Sequence, residues 1–539
     1  MARSTRFRQL LYALQKARRI NLAAQGEPPP LTSKEARRLG LPRWSRRHFI
    51  KTATLATGSA IASTTISRGK RAWSKAAPKI AIIGGGISGL NAAYQLKKAG
   101  FRTTVYEARN RLGGRILSTT DVVGEKLVVD LGGSFINSDH EDLLALVQEF
   151  DLKLFDRAKD AQEISLAETA YYFDGRLRSE AEIIEKLRPL ASQISQDADL
   201  IDKDFDRFAP QFDSLSVTAY LNRHTDKIPD SFIRTLVENS IRTEYGVEPE
   251  QSSSLQLLSN LPTVEGNKVE VLGNSDERFV VKGGSGRLIN RLAALLSAQI
   301  QTGMRLTQIE REGAAFRLSF ARKPAIEADW VILAIPFTVL RDLKIRVNLP
   351  ANLHRFINEV SLGSNEKLIA GFNSKIWQQP NGFTEEIWTD FGFSEAWDET
   401  QRQPDKKAGA LVFFFGGKEV PPLQSGTAAS QGEKLLEQFE KVIPRAKAAA
   451  NDQFFRTGWT KDSLTKGSYT NFKPGQLTEF GEFFYIESKK PEERQDVRVG
   501  NLVFAGEQLS DEFYGFMNGA AQTGRLAAEI IIREEMQQV

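Results

Sequence analysis

The amino-acid sequence predicts an α/β protein of two domains, one of them a Rossmann-like unit. Three observations carry this expectation. The chain has 539 residues, more than one compact core of ordinary size accommodates, and ample apolar content to bury. Lys79-Ile80-Ala81-Ile82-Ile83 is a continuous apolar run that enters the turn Gly84-Gly85-Gly86-Ile87-Ser88-Gly89, and Leu90 to Leu96 carries helical spacing. A second strand, Thr103-Thr104-Val105-Tyr106, ends at Glu107, about twenty residues on, where an acid accepts hydrogen bonds from an adenosine ribose.

Each position in the glycine turn has a physical task. Gly84 permits the tight strand-to-helix turn, Gly86 lets the backbone approach a pyrophosphate, and Gly89 lets helix and strand pack closely. The helix N-terminus, with Ser88 in its first turn, faces the phosphates with N–H groups and a positive dipole end. Strand, helix and acid together make the motif far more specific than the glycines alone.

Ahead of this unit, residues 1–76 hold 17 Lys and Arg against two acids, Glu27 and Glu35, which leaves 55 basic and 65 acidic residues from 77 onward, a net charge of −10. The body is acidic, which disfavours a nucleic-acid partner. Ser45-Arg46-Arg47-His48-Phe49-Ile50-Lys51 precedes a run of small residues, Thr52 to Ala62, too short and too polar to span a bilayer stably. The pattern resembles a twin-arginine export signal, which implies transient engagement of the translocase and a periplasmic or secreted protein; a basic arm with a chance Arg-Arg pair is the alternative. Ser74-Lys75-Ala76 and Ala60-Ile61-Ala62 are both candidate cleavage sites. No other run reaches the length of a transmembrane helix, so no stable membrane span is expected. The absence of cysteine excludes disulfides, thiolate metal sites and a thioether link to a cofactor. Four histidines, no two at ligand spacing, give no reason to expect a metal.

Glu107-Ala108-Arg109-Asn110-Arg111-Leu112-Gly113-Gly114-Arg115 and Asp130-Leu131-Gly132-Gly133-Ser134-Phe135-Ile136 resemble the E-A-R-x-R-x-G-G-R and D-x-G-G-x-[WYF]-[IV] elements of the flavin amine oxidase family, which includes polyamine oxidases, L-amino acid oxidases and histone demethylases. The resemblance continues through Lys282 to Leu288 and Trp330 to Pro336. It closes with Phe504-Ala505-Gly506-Glu507, Gly515-Phe516-Met517-Asn518-Gly519-Ala520 and the helix from Gly524. It implies noncovalent FAD held by Gly84, Gly86, Ser88, Gly89, Glu107, Arg109, Gly114, Arg115, Gly132, Gly133, Ser134, Leu306, Trp459, Gly506, Glu507, Phe516 and Met517. Cofactor elements at both ends imply a discontinuous Rossmann-like FAD-binding domain (79–150, 275–356 and 456–539), with a mixed α+β substrate-binding domain between (151–274, read as helical, and 357–455, read as strands ending in helix). Residues 1–78 are then signal and linker.

At the reaction centre, Lys367 in Gly363-Ser364-Asn365-Glu366-Lys367-Leu368 matches the family lysine that holds a water against flavin N5. Tyr469, in Gly467-Ser468-Tyr469-Thr470, and Phe516 match the two aromatic walls that flank the substrate nitrogen. Ser468 stands where some members carry a flavin-linked cysteine, and Phe516 where monoamine oxidases commonly have Tyr. The resemblance thus implies an oxidase taking an amine and dioxygen. An L-amino acid oxidase remains the first alternative: its carboxylate anchor is best made by an arginine, absent from Gly132-Gly133-Ser134-Phe135, though Arg242 could project from the helical region. A flavin-binding protein without turnover is the second. The sequence leaves homo-oligomerisation open.

Overall fold

The computed structural model describes residues 77–539, apart from 165, 260–262, 266–267, 271–274, 381, 489–490 and 538–539. The twin-arginine segment and both candidate cleavage sites lie outside the described residues. Ile80–Ile83, apolar on both faces, takes an interior place in a six-stranded sheet, between Thr103–Tyr106 and Trp330–Leu333. Ile300–Gln301 and Leu502–Phe504 continue that sheet on either side, all in parallel register, and Arg498–Val499 closes one edge antiparallel. The chain therefore returns to this sheet from distant segments, as a discontinuous domain requires.

Two helices meet over the glycine turn. The phosphate helix, Ile87–Lys98, begins at Gly86, and the closing helix, Met517–Met536, begins at Phe516. Their approach is close: Asn91 Nδ2 donates to the Ala521 carbonyl at 2.7 Å, and a Cβ at Gly524 would stand 2.2 Å from the Ser88 carbonyl oxygen. Glycine at 524 is thus what lets the two backbones touch.

The second domain is built on a seven-stranded sheet in the order Ala450–Arg456, Asn365–Phe372, Gly409–Gly416, Glu395–Asp398, Glu386–Thr389, Thr169–Phe173, Arg176–Arg178. One face buries Leu368, Ala370, Leu411 and Phe413 with Leu435, Leu436 and Phe439 of the helix Ala428–Phe439. The other face carries Lys367, Phe414, Glu395 and Trp388 in one cross-strand row. Over 151–274 the helices Glu180–Lys203 and Ser231–Tyr245 appear as the periodicity predicts, the latter containing Phe232 to Glu238. The all-helical expectation there is nevertheless corrected: Thr169–Phe173 and Arg176–Arg178 form a hairpin that extends the sheet. Its turn, Asp174-Gly175, has φ of 51° and 75°, the backbone that favours a two-residue hairpin loop.

Residues 154–156 pair with 279–281, which in turn pair with 135–136. Among the described residues no helix is long and apolar enough to cross a membrane.

Candidate active site

A cavity of about 270 Å³ opens where the glycine turn, both helix starts and the return strands converge. Of the residues singled out in the sequence, Gly84, Gly86, Ser88, Glu107, Arg109, Gly114, Arg115, Leu306, Tyr469, Gly506, Glu507, Phe516 and Met517 line it. The structure leaves Gly89, Gly132, Gly133, Ser134, Trp459 and Lys367 behind that lining.

The glycine side is shaped for a dinucleotide. Gly84 has φ of 111°, and a Cβ there would lie 2.4 Å from the Ala334 oxygen; a Cβ at Gly89 would lie 2.0 Å from the Gly84 oxygen. A Cβ at Gly86, by contrast, meets nothing within 4 Å, so its main chain borders open space. Beside it, Ser88 Oγ is buried with no hydrogen-bond partner among the described residues, at a helix start that has no side-chain cap. Such an N-terminus offers donors to an anion. Glu107 is buried, its carboxylate accepting from Gly85 N at 2.7 Å and Arg109 N at 2.8 Å, which fixes it on the cavity wall. An open main chain, an unsatisfied hydroxyl and a fixed acid fit the diphosphate and ribose of FAD.

The aromatic side is assembled by one carboxylate. Glu507 Oε1 accepts from Arg115 Nη1 at 2.8 Å and Thr470 Oγ1 at 2.9 Å, and Oε2 accepts from Gly515 N at 2.6 Å. Arg115 Nη1 also donates to the Ser468 carbonyl at 2.7 Å. The residues flanking Tyr469 and the residue before Phe516 are therefore all tied to one ion pair, between buried Glu507 and partly buried Arg115. The Tyr469 hydroxyl donates to the Thr243 carbonyl at the end of the helix Ser231–Tyr245. That same carbonyl accepts from Asn365 Nδ2 at 3.0 Å. Phe516 packs edge-on against buried His140, with centroids 5.0 Å apart.

Lys367 is wholly buried, and its ammonium donates to the Asp130 carbonyl (2.8 Å), the Gly132 carbonyl (2.8 Å) and Ser134 Oγ (3.0 Å). An ammonium has three donors. All three close on the turn 130–134, so Lys367 is placed as a strut behind that turn, not as a donor to the cavity where the resemblance puts a water. Burial pushes its pKa down; Glu399 and Asp130 oppose that push without restoring the ordinary lysine value. Trp459 holds the same turn from another side, Nε1 donating to the Leu131 carbonyl at 2.9 Å. Gly132 is packed so tightly there that a Cβ would lie 1.8 Å from the Arg115 oxygen.

Three further placements bear on chemistry. Arg109 donates to Asp462 at 2.7 Å and Thr465 Oγ1 at 2.9 Å, which fastens a loop whose Leu464 and Thr465 line the cavity. Burial would raise the Asp462 pKa, but the hydrogen bond from Arg109 holds it below the ordinary carboxylate value. The Ser468 hydroxyl contacts the Gly363 carbonyl at 2.8 Å and Asn365 Oδ1 at 2.6 Å. Arg242 is already engaged: Nε donates to Glu248 at 2.9 Å and Nη1 to Asn239 Oδ1 at 2.6 Å.

Sequence reasoning missed Asn365, Thr470 and His140 as supports of the aromatic walls. Only Asn365 and Thr470 carried a signal, each lying one or two residues from a matched motif position.

The family described as "Flavin containing amine oxidoreductase" matches residues 87–532. "Amine oxidase [flavin-containing] B" of Sus scrofa is 25% identical over 464 residues, covering 84% of this chain and 86% of that one; "Amine oxidase [flavin-containing] A" of the same animal is 25% identical over 468 residues, covering 84% of each. Among solved structures, wild-type putrescine oxidase bound to putrescine matches with a TM-score of 0.69 at 22% identity, over 85% of this chain and 99% of that one. Cyclohexylamine oxidase from Brevibacterium oxydans IH-35A matches with a TM-score of 0.69 at 21% identity, over 86% and 100%.

Proposed function

The chain belongs to the flavin-containing amine oxidoreductase family, and from that premise we propose that it deaminates an amine, in preference to an amino acid, using noncovalent FAD and dioxygen. It is an FAD-dependent amine oxidase. When bound, FAD supplies an acceptor at N5 for the hydride equivalent of the substrate's α C–H and delivers those electrons to dioxygen as hydrogen peroxide; water hydrolyses the imine to an aldehyde or ketone and ammonia or a smaller amine.

The chain's own residues bind, align and keep water out. Tyr469 and Phe516 would present ring faces to the uncharged amine, with a phenylalanine on one side making that cage less electron-rich than a pair of tyrosines. Glu507 fixes the spacing of both walls through the Thr470 hydroxyl and the Gly515 N–H beside them, and Lys367 acts from behind the turn it holds. No general acid or base is required of the protein.

The observation that carries the reading is that Tyr469 and Phe516 line the same cavity as Gly86 and Ser88. Engagement of Arg242 by Glu248 and Asn239 supports an amine over a carboxylate-bearing substrate. The absence of cysteine supports a dissociable flavin, which acid precipitation of the protein is expected to release; colour retained in the pellet would overturn that. Hydrogen peroxide release across amines, diamines, polyamines and L-amino acids tests the main reading, which fails if only amino acids turn over. The Arg46-Arg47 pattern supports twin-arginine export of the folded, flavin-loaded enzyme to the periplasm or beyond. Replacing both arginines by lysine is expected to strand activity in the cytoplasm, and unchanged export would refute it.

A further inference from the structure

The turn Asp130–Ser134 is gripped by charged side chains from the other domain's sheet, and none of them lines the cavity. Lys367 holds its carbonyls. From the loop that follows the strand Glu395–Asp398, Arg402 Nη1 donates to Asp130 Oδ2 at 2.5 Å and Nη2 to Glu399 Oε1 at 2.5 Å. Glu399 Oε1 in turn accepts from Asp130 N at 2.7 Å, and its Oε2 accepts from Trp397 Nε1 at 2.9 Å. Arg402, Glu399 and Asp130 are all at least 95% buried. Burial works against the Arg402 charge, but Asp130 and Glu399 outweigh it and raise its pKa.

We infer that Arg402 and Glu399 are positioning residues for the oxidation, acting on the cavity wall at Arg115 through the Asp130–Ser134 turn that they lock to the substrate domain. This rests on the proposed function; the turn meets the cavity at Arg115, a lining residue whose carbonyl accepts from Gly133 N at 3.2 Å. The physical case is geometric and electrostatic. Asp130 Oδ1 also accepts from Ser118 Oγ at 2.5 Å and Ser285 N at 3.1 Å, so its carboxylate joins the cofactor domain's own hairpin and helix to Arg402. A buried guanidinium bridging two carboxylates from two domains fixes their separation in a way that a flexible contact does not. Removing it leaves two acids facing each other, with Lys367 and Arg157 as cations nearby and Glu277 and Asp398 as further acids. Two buried carboxylates without the guanidinium between them repel each other, and the turn that carries Asp130 loses its guanidinium tie to the Glu399 loop.

The test uses the FAD-loaded full chain as wild type, Arg402→Met, Arg402→Lys and Glu399→Gln. Flavin absorption is recorded, and anaerobic flavin reduction by a turned-over amine is followed by rapid mixing. For Arg402→Met the expectation is a flavin absorption spectrum displaced from that of the wild type. Reduction should slow about 10- to 100-fold at an unchanged half-saturating amine concentration. Arg402→Lys, which keeps the charge but not the fork, should return the spectrum toward that of the wild type while restoring only part of the rate. A flavinated Arg402→Met with wild-type spectrum and reduction rate overturns the inference, even if its melting temperature falls. Should Arg402→Met fail to load flavin, Glu399→Gln decides by the same criterion, since it keeps the volume and removes one carboxylate. Failure of the underlying reading looks different: no amine would reduce the flavin of the wild type.

Discussion

The two sides of the cavity are made of different material. On the glycine side the main chain of the turn borders the cavity beside the Ser88 hydroxyl and the Glu107 carboxylate, and the glycines answer to distances at which a Cβ would or would not fit. On the aromatic side the surface is made of side chains, and their places depend on buried hydrogen bonds and ion pairs that reach across the sequence, as from Arg115 to Glu507. Where backbone forms the wall, added bulk is expected to cost more than the loss of a side chain. A side-chain-built site is expected to show the reverse.

The comparison breaks most readily at Glu507. Glu507→Ala leaves the partly buried Arg115 beside an empty position and frees the Thr470 hydroxyl and the Gly515 N–H; three hydrogen bonds to one carboxylate are lost, each worth about 1.5–3 kcal/mol. Denaturant unfolding should register that loss, and flavin content should fall with it; near wild-type values for both would show that the walls are held by packing alone. The glycine side yields a sharper contrast. Gly89→Ala forces a Cβ to within 2.0 Å of the Gly84 oxygen and is expected to destabilise the chain by about 1–3 kcal/mol even without FAD. Gly86→Ala places its Cβ in open space, so apoprotein stability should be unchanged while FAD affinity, measured by calorimetry, drops about tenfold or about 1.4 kcal/mol. Equal losses of apoprotein stability in the two variants would mean that Gly86 serves the fold and not the cofactor. The smallest effect is expected for Tyr469→Phe, which keeps the ring and removes one hydrogen bond to Thr243, worth about 1 kcal/mol. Melting temperature should fall slightly with amine turnover largely kept, whereas abolished turnover would make the hydroxyl part of the chemistry.

This difference in material also decides what could be read beforehand. The strand, glycine turn, helix and Glu107 lie within one short stretch, and each position answers to a local backbone requirement, so they stand in the structure where the spacing puts them. Tyr469 and Phe516 had no such local rationale: each is an aromatic like many others in the core, and only resemblance to a family singled them out. Lys367 was found by its motif, but its motif did not tell that all three donors would close on the turn. Arg402 and Glu399 sit in a loop with no pattern around them, and the partner of Arg402 lies 272 residues away; nothing in the linear order relates them. The hairpin at Thr169–Phe173 and Arg176–Arg178 is a different case, since its Asp174-Gly175 turn between aromatic and apolar residues was legible and the helical periodicity around it prevailed.

The meeting of the phosphate helix with the closing helix sets a timetable for synthesis. Gly86 leaves the ribosome roughly four hundred residues before Glu507 and Gly524 do, an interval of about 20–80 s at 5–20 residues per second. Through that interval the nascent chain has a glycine turn but no Glu507 to anchor Tyr469, no Phe516, and no second helix end over Ser88. Cofactor capture is therefore a late event in the birth of this protein, and translation products that stop short of the closing helix should emerge colourless.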